Sequence, residues 1–344
     1  MSVAGRVSPT NVSTRSPICL TCSTKRTDAE AQAILVTKGP PLGAARDGEE
    51  ANVAKGAREV QDSLVRALAQ DALEVRKDLL RLCAQTQIHI GGDLSVTDVM
   101  CAIWQYFIVY DADNPRWEGR DRFVLSKGHA SAVTSFNQAR RGCFDKQDIY
   151  REYAHDNGRF GMHSCNLVNP YVDVSTGSLG HGLPVACGLA QGLRLKENLT
   201  SRVWVVMGDG ELDEGSIWEA AACAAKYGLG NIVGVVDNNH LQLDGPTREV
   251  LDLGGTAERF AACGWNVVEV EDGNDMAQIV SALEGLPTAD SQVPTVVVCE
   301  TTKGRGVPFM EGDKLWHCAQ IDAKTCEQAI AGLEREFSKK WGER

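Results

Sequence analysis

The first 58 residues of this 344-residue chain contain no phenylalanine, tyrosine or tryptophan, although the whole chain carries 8, 6 and 7 of them. Rich instead in Ser, Thr, Gly, Ala and Pro, such a segment buries too little apolar surface to offset the entropy of ordering it. Residues 1–58 are therefore expected to form a disordered extension. Its first 27 residues hold Arg6, Arg15, Lys25 and Arg26 and no acid, a faint likeness to an organellar transit peptide. A hydrophobic signal sequence is not seen.

Long apolar runs are missing as well. The longest nearly uncharged stretch, MCAIWQYFIVY from Met100 to Tyr110, is too short to span a bilayer and reads as a buried helix. Positive charge is in deficit: the formal net charge is -11, which argues against nucleic acid or an anionic membrane as a partner. An anionic ligand would need local help, from a metal or from backbone amides. The 12 cysteines show no repeated spacing, so reduced thiols in the cytoplasm are expected. Cys19 and Cys22 alone offer half of a zinc site, and tetrahedral zinc needs four ligands. No internal repeat is visible.

What is present begins near Val60, where Leu64, Leu68, Ala72, Val75, Leu79 and Leu82 recur every three or four residues. That spacing predicts an amphipathic helix over 60–84, ended by a Gly91-Gly92 turn. Short apolar runs then alternate with helical stretches: 123–125, 203–207, 232–236, 267–270 and 295–299. Strands separated by helices predict a three-layer α/β/α sandwich around a mainly parallel sheet. A last helix is expected from Ala323 to Trp341.

Two of those runs end in a pattern. VWVVM is followed by Gly208-Asp209-Gly210, and NIVGVV some thirty residues later by Asp237-Asn238-Asn239. Each motif falls at the carboxyl end of a strand, where open α/β sheets bind ligands. Gly208 and Gly210 clear space for backbone to approach a ligand, and amides at a helix start can face an anion. A carboxylate and an amide oxygen are hard donors, suited to magnesium or calcium.

The paired GDG and NN motifs, with EGSIWEA and GLGNIVGVVDNNHLQLDG around them, resemble the thiamine diphosphate signature of the transketolase family. The resemblance runs from about residue 64 to 320, and sets a thiamine diphosphate domain at 59–322 before a C-terminal helix at 323–344. It implies that Asp209, Asn239 and the Leu241 carbonyl ligate Mg2+, or Ca2+ or Mn2+ in its place. The Gly210 amide, with Gly208 beside it, would meet the diphosphate, and Leu241 and Leu243 would pack on the thiazolium ring. TQIHIGGDLS, LSKGHAS and GMHS match the family's histidine motifs, which implies His89 and His163 beside the substrate and His129 on the diphosphate. VSTGSLGHG would bring Gly177 and Leu179 to the cofactor rings, and LWHC would set His317 near both the diphosphate and the reacting carbon.

Carbon-carbon bond transfer next to a carbonyl needs groups that donate and accept protons near neutral pH, and histidine suits that task. The resemblance implies transfer of a two-carbon ketol unit between a sugar, typically phosphorylated, and an aldose. A full transketolase continues into a second domain carrying the glutamate that activates the aminopyrimidine. This chain resembles the amino-terminal half of a split enzyme, and implies a C-terminal partner subunit in an α2β2 assembly. Two residues depart from the family pattern: His181 stands in place of a family glutamine, and Cys318 in place of a glycine. Glu214 and Glu219 match family acids of the crossover helix, and are either acids with an interface role or simple helix N-terminal charges. The alternatives are the α subunit of a two-oxoacid dehydrogenase, a family that lacks the HIGG and SKGHA motifs, and a non-catalytic subunit that keeps the fold.

Overall fold

The computed structural model describes residues 47–342, with side chains from residue 58 onward. Cys19, Cys22 and the basic segment before residue 28 lie outside the described residues. Helix α1 (Asp47–Gln85) starts earlier than the periodicity predicts, so the expected boundary at residue 58 falls within it. Gly91 and Gly92 do not form a turn: they open helix α2 (Ile90–Ala102). A Cβ on Gly91 would lie 2.6 Å from the Trp316 carbonyl oxygen. The glycine there serves a close approach of two backbones rather than a reversal of the chain. The apolar run predicted as a helix is helical only in part, because α2 gives way to one π turn, Ile103–Phe107.

Strands β1 (Arg122–Leu125), β2 (Val203–Gly208), β3 (Ile232–Asn238), β4 (Asn266–Val270) and β5 (Thr295–Glu300) follow the predicted runs to within two residues. They form one parallel sheet in the order β1-β2-β3-β5-β4. The central strands are continuous runs of Val and Ile because both faces are covered. Side chains of β2 alternate accordingly: Trp204 and Val206 enter one core, while Val203, Val205 and Met207 enter the other.

The first core is closed by α1, α2, α3 (Ser131–Arg140), α9 (Met276–Glu284) and α10 (Ala323–Trp341). The second is closed by α5 (Gly182–Leu195), α6 (Gly215–Lys226) and α8 (Thr256–Ala262). This is the predicted three-layer sandwich. Two short helices, α4 (Lys146–Glu152) and α7 (Thr247–Val250), lie in the connections. Among the described residues no helix is long and apolar enough to cross a membrane, and the described cysteines are free thiols.

Candidate active site

Because β2 and β3 are parallel neighbours in register, their carboxyl ends bring Gly208 opposite Asp237. The next residues follow: the Asp209 amide donates to the Asp237 carbonyl at 3.2 Å. Asp209 and Asn239 are both buried. One Asp209 oxygen accepts the Gly210 amide at 2.8 Å, and the other accepts the amide of His240. Burial, with the charge of Asp237 added to it, pushes the Asp209 carboxyl up to about 6. Its anionic form is under-compensated in this chain, as a carboxylate intended for a cation would be.

Asp237 is opposite in character. Burial alone would raise it, but the Lys127 ammonium, which contacts one of its oxygens, and hydroxyl donors from Ser95 and Thr301 hold it below the usual carboxylate range. That oxygen also accepts the Asn239 amide nitrogen at 3.2 Å. The contact assigns the amide nitrogen to Asp237, so the oxygen is the atom that could serve a cation. In turn Asn239 Oδ1 accepts the Leu241 amide at 3.2 Å.

The Leu241 carbonyl accepts from Lys303 Nζ at 3.1 Å, and the same ammonium lies 3.1 Å from His317 Nδ1. An ammonium only donates, so the proton of the His317 ring sits on Nε2. Burial first, then repulsion from Lys127, lowers Lys303 to about 8. Lys127, Lys303 and Asp237 all escape a reading by motif type, though each lies inside or beside one of the motifs. The signal was the lysine in SKGHA, and Lys303 in the stretch 301–306 that follows the last strand. Two buried cations in an acidic chain supply the local positive charge that composition assigned to metal or amides alone.

Four histidines meet here from four separate segments. The His89 ring centroid lies 5.3 Å from His129, 5.9 Å from His163 and 5.4 Å from His317, and His129 lies 5.4 Å from His317. His89 sits at the N-cap of α2, His129 follows β1, His163 lies in the loop before α5, and His317 ends a 3-10 turn over Lys314–Trp316. Burial, then the neighbouring cations and rings, lowers His89 to about 4 and His317 to about 3, and takes His129 well below its ordinary value. At neutral pH these three rings are uncharged and can each donate and accept.

Gly177 faces the same point, since a Cβ there would lie 3.5 Å from the His163 ring. Leu179 and Leu241 are half-buried, whereas Leu243 is 64% exposed. Gly210 has a further reason to be glycine: a Cβ would lie 2.8 Å from Gln242 Cβ. The crossover helix α6 does not begin at Gly210, because a 3-10 turn (Gly210–Asp213) intervenes. Glu214 is the N-cap of α6, without a side-chain cap bond. His181 is exposed at the start of α5, and Cys318 is half-buried.

Does the site fit a diphosphate cofactor with a divalent ion? Buried His89 Nδ1 and Thr176 Oγ1 have no hydrogen-bond partner among the described residues, which is uncommon for buried polar atoms. Both belong to segments that converge on the histidines. Among the described residues no group of three His, Cys, Asp or Glu side chains could hold a metal. A cation would rely on one carboxylate with amide and carbonyl oxygens, the donor set of a hard ion. A cleft of about 410 Å3 adjoins the site at Asp209 and is lined also by His240, Arg248 and Glu300, but by none of the four histidines.

The family model described as transketolase, thiamine diphosphate binding domain, matches residues 59–339. One subunit of the apulose-4-phosphate transketolase of Phocaeicola vulgatus is 36% identical over 255 residues, covering 73% of this chain and 88% of the relative. A 6-deoxy-6-sulfo-D-fructose transketolase subunit of a Clostridium species is 34% identical, covering 72% and 89%. Among solved structures, the transketolase of Leishmania mexicana superposes with a TM-score of 0.70 at 26% identity, over 80% of this chain and 41% of that one. The chain thus spans about two fifths of that solved transketolase, and most of the length of the subunit-type relatives.

Proposed function

Since this chain belongs to the transketolase family, we propose that it is the diphosphate-binding subunit of a split transketolase, moving a two-carbon ketol unit from a sugar phosphate donor to an aldose. Bound thiamine diphosphate supplies the electron sink for that chemistry. Asp209, the Asn239 amide oxygen and the Leu241 carbonyl are the oxygen donors for Mg2+, with Ca2+ or Mn2+ compatible with the same set. Gly208 and Gly210, His129 and Lys303 face the diphosphate side, where the Lys303 cation offsets its charge. Gly177, Leu179, Leu241 and Leu243 give the apolar contacts to the rings. His89 and His163 hold and pass protons on the substrate hydroxyls, and His317, with its proton on Nε2, lies between the substrate side and Lys303.

The observation that carries this reading is the convergence of three uncharged histidines and His163 beside the Asp209 and Asn239 pair. The relatives compared with the chain are transketolases rather than two-oxoacid dehydrogenase subunits, and two carry a subunit designation. A C-terminal subunit would cover the rim, where Leu167 is 89% exposed and Leu243 and Leu315 are also exposed. Apolar rims of that kind mark interfaces. An α2β2 assembly follows the commonest closed symmetry, and free thiols suit the cytoplasm.

The test is to assay the chain alone and with a candidate C-terminal subunit, with thiamine diphosphate, magnesium and a panel of ketose phosphates and aldoses. Ketol transfer that needs both proteins is the expected result. Full activity of the lone chain would overturn the split-enzyme reading, and lack of cofactor binding by the pair would overturn the whole assignment.

A further inference from the structure

Glu211 is 2% exposed and makes no ion pair among the described residues, a rare setting for an acid. It lies in the 3-10 turn directly after Gly210. All of its partners are donors, two of them from distant segments and one from the strand end that leads into its own turn. Oε1 accepts the Ser126 hydroxyl and the Gly180 amide at 2.9 Å, and Oε2 accepts the Gly208 amide at 3.2 Å.

The three donors belong to three different loops. Ser126 directly follows β1, immediately before Lys127 and three residues before His129. Gly180 closes the loop that carries Gly177 and Leu179, and its φ of +80° restricts that corner to glycine. Gly208 ends β2, immediately before Asp209. The loops are tightly seated on one another, for a Cβ on Gly182 would lie 2.2 Å from Ser126 Oγ. Hydrogen bonds to a charged acceptor are stronger than those to a neutral one, and each buried donor would be left unsatisfied without it.

We infer that Glu211 is a positioning residue: a single buried carboxylate that sets the spacing of the three loops which carry the cofactor-facing groups, and so sets cofactor affinity without touching the cofactor. All three partners are donors, and a carboxylate has the lone pairs to accept each of them. The inference rests on the function proposed above and extends it to a residue that no motif singled out.

The test is Glu211→Gln in the complete two-subunit enzyme. The amide keeps the shape, but its nitrogen cannot accept, so at least one of the Gly180, Gly208 and Ser126 donors loses its acceptor. Calorimetric titration of thiamine diphosphate with magnesium should show affinity weakened roughly 10- to 100-fold. At saturating cofactor, kcat and the KM for sugar should stay within about twofold of the wild type, as expected when only cofactor binding has been lost. Ser126→Ala removes one donor and leaves the carboxylate. It should weaken cofactor binding by a smaller factor of about 3, on the scale of one hydrogen bond. A folded Glu211→Gln protein with wild-type cofactor affinity overturns the inference, even if its melting temperature falls. If that variant does not fold, unchanged affinity in Ser126→Ala overturns it instead. If the wild-type pair binds no cofactor, it is the proposed function that fails.

Discussion

Lys127 and Asp237 form an ion pair from which water is excluded, with side chains 2% and 0% exposed. The pair lies beneath the ends of β2 and β3, so a structural salt bridge and the orientation of the Asn239 amide are one arrangement. Removing one partner of a buried pair strands the other charge. Asp237→Asn is therefore expected to cost about 3–5 kcal/mol of stability. Adding Lys127→Met should recover part of that loss. Urea denaturation of the three proteins gives the comparison, and no recovery in the double variant would mean that the pair is not what matters.

Asp209→Ala removes the anionic donor from the proposed cation position. Cofactor affinity should fall by about 2–4 kcal/mol, or roughly 30- to 1000-fold. Calorimetry in magnesium on the complete enzyme checks it, and unchanged affinity rules out Asp209 as a ligand.

The histidines should divide into two groups. His89→Ala and His163→Ala are expected to keep cofactor affinity and lose about 10²- to 10⁴-fold in turnover, the range of a positioned acid or base. His129→Ala should weaken cofactor binding instead. Equal losses of affinity in all three variants would contradict the division.

Asp93 gives a pH signature that requires no cofactor. It sits in the first turn of α2, fully buried, and one of its carboxyl oxygens has no partner among the described residues. Burial raises it to about 7, against the opposing pull of the Val133 amide and Lys127. A raised acid means that the folded state holds this proton while the unfolded chain has already released it. Asp93's own contribution to stability should therefore decline as pH rises from about 4 to 7 and level off above, against the opposite slope contributed by the lowered histidines. Asp93→Asn should flatten that decline. Denaturant midpoints at pH 5 and pH 8 read it, and an unchanged slope in the variant would dismiss Asp93 as its source.

The strands and layers were legible because the Val and Ile runs of β2, β3 and β5 are buried on both faces, which leaves little else for them to be. Asp209 and Asn239 were legible for the same reason, since they sit where those runs stop. Lys303 and Glu211 were not. A lysine becomes a counter-charge, and a glutamate a shared acceptor, only through partners such as Leu241, Gly180 and Ser126 that lie on other segments. The start of α1 was missed because its first turns lack the apolar period that tertiary burial imposes. The Gly91-Gly92 pair was misread because the Trp316 carbonyl that needs the space comes from the far end of the chain.

That far end is laced to the near one. Ile88 and Ala319 exchange backbone hydrogen bonds at 3.1 and 3.0 Å, Gly304 donates to the Gly91 carbonyl at 3.0 Å, and Cys83 Sγ donates to the carbonyl of Ala319, 236 residues away. His89 and His317 stand directly beside this seam. Closing so long a loop carries an entropic cost that local contacts do not share, and contacts of high sequence separation slow folding. A chain leaving the ribosome can thus assemble β2 and β3, with the Asp209 and Asn239 corner, before the segment bearing His317 exists. The histidine quartet is the last part of the site to be born.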